Sequence, residues 1–235
     1  DPRNYSSDTN IKIVKGEEGP FIKSIKVISE APGCNSLEKE YLIYEGESKV
    51  GIRIKMDRKK VYDPEGIHIA FPFNITDPKP VFNTAWANYR PQIEQLAGSC
   101  KNYFPVQRFA DVSNSSLGIT LVSIDAPMIE LGERRTDGNV YGWIKEIKDS
   151  PLIYSYPMNN YWGTNFKAEQ EGVTEFFYFL YPHGKSDLPE IERKSVEAAQ
   201  PLIAVLSDKE KSVPASLFEI DSKEIFATSV KESAD

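Results

Sequence analysis

Residues 50–56 read Val-Gly-Ile-Arg-Ile-Lys-Met, and in this stretch large apolar side chains alternate with small or charged ones. The large apolar side chains all fall on one side of the alternation: Val50, Ile52, Ile54 and Met56. A period of two residues is typical of a strand with one buried face, because successive side chains of a strand point to opposite sides of the sheet. The stretch therefore predicts a half-buried β-strand.

Similar patterns predict strands along most of the chain. Residues 67–73 alternate in the same way, which places His68 on the side opposite to Ile67 and Ile69. Residues 173–181 form a long aromatic run in which we expect Phe177 to be buried. Three more stretches rich in apolar residues are expected to be strands: 21–28, 41–44 and 119–124.

One helix is predicted, over residues 187–199, because Asp187 can cap it and Pro189 suits its first turn. Many strands with long irregular connections predict an all-β fold, namely a large antiparallel β-sandwich with few short helices. Three parts are expected: a polar N-terminal segment at 1–20, which is loose or edge-like, a sandwich domain at 21–207, and the start of a further, truncated β segment at 208–235.

Composition limits the possible partners. The chain carries 28 Lys and Arg against 35 Asp and Glu, a net charge of −7, so we expect no nucleic acid to bind. No run of about 20 apolar residues is present, so no membrane span is expected. Two histidines and two cysteines show no zinc-ligand spacing, and we predict no metal site. The start at Asp1 suggests a mature product or an excised piece. The compartment stays open, with a secreted or periplasmic location favoured.

Amides and aromatic rings concentrate in the loop at residues 156–172. Asn159, Asn160 and Asn165 can donate and accept hydrogen bonds without charge, and Trp162 offers a flat apolar face. This mixture suits a neutral, hydroxyl-rich ligand such as a sugar, because sugar rings stack on aromatic faces. In the alternative interpretation, the amides only pair with the backbone of a long loop. The sequence leaves both interpretations open.

Two further residues are candidates for carbohydrate contact. His183 follows the predicted aromatic strand, where it could act as an acid or base or could anchor a loop. Arg90 begins a polar segment that also holds Glu94, Arg108 and Asp111, and ion pairs there could fix a loop or face a cleft. No spacing singles out the pair of carboxylates that glycosidases use, so no residue is predicted to be catalytic.

The order of these segments resembles the β-rich middle region of glycoside hydrolase family 38, the α-mannosidases and their relatives. The most specific matching stretches are residues 65–73 (EGIHIAFPF), 111–132 (DVSNSSLGITLVSIDAPMIELG) and 159–172 (NNYWGTNFKAEQEG). Together with residues 36–56, 177–183 and 198–202, they cover most of the chain in the family's order. The resemblance implies a sandwich similar to the galactose-mutarotase-like supersandwich.

The resemblance also implies where the chemistry lies. In that family the carboxylate nucleophile and the zinc belong to a separate barrel domain, which is not recognisable in this sequence. We therefore expect no cofactor in this chain, with zinc only in the missing catalytic domain. The implied function is a non-catalytic domain of a mannosidase-like glycosidase that packs on the barrel and helps to shape a cleft for a mannoside-like glycan. The chain alone is expected to be inactive.

Two other hypotheses stay open. A self-sufficient sugar mutarotase or epimerase would use a histidine with a carboxylate, so it predicts that His68 or His183 lies within hydrogen-bond reach of an Asp or Glu. A stand-alone carbohydrate-binding module would use Tyr161, Trp162 and the neighbouring amides as its binding platform.

Overall fold

The computed structural model describes residues 6–132, 144–160 and 167–200, followed only by 202–204, 206, 218–225, 227 and 230–231. The chain divides by its internal contacts into two compact units, Asp1–Ser186 and Asp187–Asp235. The domain boundaries expected after residues 20 and 207 stay predictions, and most of the segment 208–235 lies outside the described residues.

The first unit consists of antiparallel strands. In chain order, those within the described residues are β1 (Thr9–Glu18), β2 (Ile22–Glu30), β3 (Cys34–Tyr44), β4 (Val50–Arg58), β5 (Gly66–Pro72), β6 (Lys79–Thr84), β7 (Ala87–Tyr89), β8 (Phe104–Pro105), β9 (Phe109–Ser113), β10 (Gly118–Ser123), β11 (Met128–Leu131), β12 (Leu152–Asn159) and β13 (Gly172–His183). Strands account for 48% and helix for 6% of the described residues, so the predicted all-β class is confirmed.

The strands form two sheets of unequal width. The large sheet has nine strands in the order β1-β2-β3-β4-β13-β10-β9-β6-β7, and the small sheet has four in the order β5-β12-β11-β8. Buried residues of both sheets form one core, in which the rings of Phe71 (β5) and Tyr178 (β13) lie 5.2 Å apart. The predicted large antiparallel sandwich is therefore confirmed.

The alternation that predicted β4 places its apolar residues in this core. Ile52, Ile54 and Met56 are 6%, 2% and 3% exposed, because they face the small sheet. The expectation for Phe177 was wrong: in β13 it is Phe176 and Tyr178 that are buried against the core, and Phe177 is half-buried on the opposite face. A run that is aromatic at every position does not reveal which face lies inside.

The second unit contains one described helix, α1 (Leu188–Ala199). Its N-cap is Asp187, whose side-chain oxygen accepts a hydrogen bond from the backbone N–H of Glu190 at 3.3 Å, as the sequence predicted. Pro189 lies in the first turn, where its missing N–H costs nothing. No helix within the described residues is long and apolar enough to span a membrane.

Candidate functional site

Asn160, a predicted sugar contact, ties two loop segments together. Its Oδ1 accepts a hydrogen bond from the backbone N–H of Glu65 at 2.6 Å, and its own backbone N–H donates to Glu65 O at 3.0 Å. Its Nδ2 lies 3.0–3.2 Å from the carbonyl oxygens of Val61, Asp63 and Ala168. The side-chain amide is thus occupied by backbone groups, which fits the loop-fixing interpretation. Carbohydrate contact by Asn160 stays a prediction.

The neighbouring Asn159 differs from Asn160. It ends β12 opposite Gly66, and its Oδ1 is buried without a hydrogen-bond partner among the described residues. A buried amide oxygen with unused acceptor capacity is costly, and such groups often have a functional explanation. Trp162 and Asn165, the other candidates of this loop, lie outside the described residues.

A partly buried ion pair lies close to this loop. Arg58, at the end of β4, is 5% exposed, and its guanidinium contacts the carboxylate of Glu65. Burial lowers the pKa of Arg58, because removal from water disfavours the charged form. Arg58 contacts the carboxylate of Glu65, and the Asn160 amide accepts from its backbone N–H, so Glu65 is fixed at both its side chain and its backbone.

His183 ends β13 in a polar network. Its Nε2 lies 2.8 Å from Oδ1 of Asp111, a fully buried carboxylate, and its Nδ1 lies 2.8 Å from the carbonyl oxygen of Gly184. The hydroxyls of Thr120 and Ser113 each donate to Asp111 at 2.8 Å. These four contacts fix the imidazole ring beside the buried carboxylate.

A glycine makes room for this network. Gly118 of β10 pairs with His183 of β13 on one side and with Ser113 of β9 on the other. A Cβ atom at residue 118 would overlap both the imidazole ring and the Ser113 side chain. The close approach of the three strands therefore requires glycine at residue 118, which leaves room for the imidazole ring to lie beside Asp111.

The structure reveals a second histidine–carboxylate pair, on the outer face of the small sheet. His68 Nε2 and Glu130 Oε2 are 3.1 Å apart, although they are not aligned for a hydrogen bond, and both side chains are nearly buried. The ring of His68 stacks on Tyr156 with centroids 4.2 Å apart, and Tyr156 in turn stacks on Tyr103 at 5.7 Å. The sequence placed His68 on the correct face but did not identify its partner. The available signal was a charged residue, Glu130, inside an apolar strand.

Arg90 lies away from the Asn160 loop and from both histidine–carboxylate pairs. Its Nη2 donates to Asp149 Oδ2 at 3.0 Å, and its backbone N–H donates to Glu94 Oε2 at 2.6 Å. The backbone N–H of Ile147 donates to Gln92 Oε1 at 3.0 Å, so segments 90–95 and 144–149 run side by side. The ion pair that fixes a loop is therefore present, but its carboxylate is Asp149, a residue that the sequence did not suggest.

The described candidates do not form one site. Asn160 contacts Ala168, just before the start of β13, whereas His183 is the last residue of that strand. A strand rises about 3.3 Å per residue, so the ends of this twelve-residue strand are roughly 36 Å apart. One sugar ring cannot contact both residues. The described residues hold no group of three or more His, Cys, Asp or Glu side chains suited to a metal ion.

No family model matches the sequence, and no curated protein matches it. Among solved structures, the chain is similar to an alpha-mannosidase from Enterococcus faecalis V583, with a TM-score of 0.63 and 14% identity over 86% of this chain. It is similar to a protein in the glycosyl hydrolase family 38 from Enterococcus faecalis, with a TM-score of 0.63 and 13% identity over 86% of this chain.

The matched region is 26% of each of those chains, so this chain spans about a quarter of their length. Identities of 13–14% establish a shared fold and nothing finer. The predicted resemblance is thus confirmed at that level: this chain has the fold of one region of a glycosyl hydrolase family 38 alpha-mannosidase.

Proposed function

We propose that this chain is the non-catalytic β-sandwich domain of an α-mannosidase-like glycoside hydrolase. In this proposal it packs against the catalytic barrel of the same polypeptide and helps to shape a cleft for a mannoside-like glycan. The observation that carries the proposal is the fold match, which takes in 86% of this chain but only 26% of an alpha-mannosidase. Zinc and the nucleophile would belong to the barrel.

The polar residues of the sandwich support a framework role. The side-chain amide of Asn160 is hydrogen-bonded to backbone groups, and the carboxylate of Asp111 contacts a histidine and two hydroxyls. Among the described candidates, Asn159 has acceptor capacity left for a ligand, since its buried Oδ1 has no partner there. We therefore assign the contribution to the cleft first to Asn159, with Trp162 and Asn165 on the same loop.

The coding region around this chain tests the proposal directly. We expect the same reading frame to encode a barrel domain rich in Asp and His. A complete frame that encodes this chain and no other domain would contradict the proposal. A second test is to assay the isolated chain on an aryl α-mannoside with and without zinc. We expect no turnover above that of a heat-denatured sample.

The contribution to the cleft requires the full-length enzyme. We expect Asn159→Ala to lower kcat/KM on mannosides while leaving the melting temperature unchanged. Asn74→Ala is the matched control, because Asn74 is exposed outside the strands and should change neither quantity. If Asn159→Ala lowers the melting temperature and activity merely follows folding, Asn159 is structural.

A self-sufficient mutarotase or epimerase is the second candidate. The observation that favours it is that both histidines lie close to a buried carboxylate, at 2.8 Å for His183 and Asp111 and 3.1 Å for His68 and Glu130. Polarimetry with freshly dissolved aldose anomers separates the two functions. Accelerated anomer exchange that His183→Asn or His68→Asn abolishes would establish the enzyme and overturn the non-catalytic role.

A further inference from the structure

One face of the first three strands carries a group of exposed apolar side chains, here called the overhang face. Its members, with their exposed fractions, are Ile11 (60%), Ile13 (67%), Phe21 (76%), Ile25 (49%) and Ile43 (53%). Isolated apolar residues on a surface are ordinary, whereas several exposed apolar side chains on one face of neighbouring strands point to a site of interaction.

The strand register places these residues on the core side of the large sheet. Ile25 of β2 is paired with Tyr41 of β3, and Tyr41 packs against the core. Ile13 of β1 is paired with Val27, two residues beyond Ile25 and therefore on the same face. Ile43 lies two residues beyond Tyr41 and shares its face, Phe21 directly precedes β2 with the parity of Ile25, and Ile11 lies beside Ile13 at a bulge of β1. The overhang face thus continues the inner surface of the sandwich.

The unequal widths of the sheets leave this surface uncovered. At a spacing of about 4.8 Å, the outer strands of the nine-stranded sheet lie about 38 Å apart and those of the four-stranded sheet about 14 Å apart, so the small sheet cannot cover the whole large one. Its edge strand β8 reaches β6, where Phe104 contacts the fully buried Phe82. On the other side, exposure rises outward from Ile54 (2%, β4) through Ile25 (49%, β2) to Ile13 (67%, β1).

The chemistry of the overhang face favours a protein surface as its occupant. Four of its five members are isoleucines, and a sugar site would instead need aromatic platforms with amides beside them. Lys23 lies on the same face opposite Glu18 of β1, which pairs with Lys15, so charged side chains of both signs border the isoleucines, as at the polar rim of a protein interface.

The size of the face favours an occupant in the same polypeptide. With exposed fractions of 49–76%, the five side chains present on the order of 500 Å². Doubled by the matching surface, this gives roughly 1,000 Å², inside the range of about 600–1,500 Å² between domains of one chain. It falls short of the roughly 1,600 Å² that is standard for separate proteins.

We propose that the overhang face is the surface on which a second, covalently linked domain packs. This inference rests on the proposed function, since it assigns the contact with the remainder of the polypeptide to Ile11, Ile13, Phe21, Ile25 and Ile43. In the two Enterococcus faecalis proteins, the matched region is 26% of the chain, so most of each chain lies outside the match.

Hydroxyl-radical footprinting of the full-length protein and of this chain alone tests the proposal. We expect Ile13, Phe21 and Ile25 to be labelled several-fold less in the full-length protein. Ile28 is the internal control, because it lies on the opposite face of β2 and is 40% exposed. Equal labelling of the overhang face in both samples, or a full-length protein without a further domain, would overturn the proposal.

A matched pair of variants identifies the occupant. In the full-length protein, Ile25→Lys should speed proteolytic cleavage between the domains, whereas Ile28→Lys should not. If the isolated chain forms a dimer that only Ile25→Lys disrupts, the occupant is a second copy. If it binds anionic vesicles through this face, the occupant is a lipid surface. Either result rejects the linked domain.

Failure of this inference can be told apart from failure of the proposed function. A full-length protein without mannosidase activity whose overhang face is nevertheless protected would retain the docking surface and reject the glycosidase assignment. An active mannosidase whose overhang face stays fully labelled would retain the glycosidase assignment and reject the docking surface.

Discussion

The phenol oxygen of Tyr178 and the hydroxyl oxygen of Ser155 lie 2.9 Å apart in the centre of the sandwich, where they join the two sheets by a hydrogen bond. Tyr178 belongs to β13 of the large sheet and Ser155 to β12 of the small sheet. Both residues are 0% exposed, so neither hydroxyl can turn to water. Each residue therefore satisfies the polar group of the other.

Once one partner of this hydrogen bond is removed, removing the other should cost little more. Tyr178→Phe leaves the Ser155 hydroxyl buried without this partner, which should lower the free energy of unfolding by about 1–3 kcal/mol. Adding Ser155→Ala to that variant should cost little more, because the orphaned group is then gone. Urea unfolding of the two single variants and the double variant measures the coupling. Strictly additive losses would argue against the bond.

The burial of the Tyr178 phenol predicts that the free energy of unfolding falls at alkaline pH. Burial raises the pKa of Tyr178 above its ordinary value of 10.0, and the Ser155 hydrogen bond only partly opposes this effect. Below pH 10 the phenol is neutral in both the folded and the unfolded chain, so its contribution is fully present. At higher pH only the unfolded chain ionises, and stability should fall by up to about 1.4 kcal/mol per pH unit.

Urea unfolding between about pH 9 and pH 11 checks this slope. The matched control is Tyr178→Phe, which should show a shallower slope. Burial also raises the pKa of Tyr44 and Tyr89, and these two tyrosines remain in both proteins. The same slope in the variant would show that Tyr178 does not carry the effect.

Two phenylalanines should differ in their contribution to folding. Phe82 is 0% exposed and packs against Phe104, so Phe82→Ala should cost about 3–5 kcal/mol. Phe177 is half-buried on the outer face of the large sheet, so Phe177→Ala should cost clearly less. Chemical denaturation of both variants provides the comparison. Equal losses would mean that the outer face is packed as tightly as the core.

The stability of an Asn160→Ala variant distinguishes a structural role of Asn160 from a role in ligand binding. Asn160→Ala removes the amide that joins segments 61–65 and 168, so we expect it to destabilise the chain by about 1–3 kcal/mol without any sugar present. Asn159→Ala serves as the comparison, because the Asn159 side-chain oxygen has no partner among the described residues. Thermal unfolding measures both. An Asn160→Ala variant as stable as the parent chain would favour a ligand role.

Strands with a strict alternation were predictable from the sequence. In β4 and β5, apolar side chains on one face alternate with more polar or smaller ones on the other. The structure places the apolar faces toward the core, and it places His68 on the face opposite to Ile67. The helix was predictable because its cap chemistry is local: Asp187 and Glu190 are three residues apart. In each of these cases the signal lies within a few neighbouring residues.

The rest depends on contacts between distant residues. The strand Thr9–Glu18 alternates weakly because both of its faces are largely exposed, so its sequence reads as a loose or edge-like segment. Short strands such as β8, with two residues, are too short for any period to be recognised. The partners Asp111 and His183 are 72 residues apart, and Arg90 and Asp149 are 59 apart. No local pattern encodes such pairs, so the polar networks could not be predicted.

The unequal widths of the sheets also predict an order of opening. β1 is bonded along one edge to β2, and no described strand or helix covers its inner face, so it has few contacts that hold it closed. Its amide hydrogens should exchange with deuterium early, whereas those of β10 and β13, at the middle of the large sheet, should exchange only on global unfolding. The first hairpin would thus be the part of this domain that is easiest to detach.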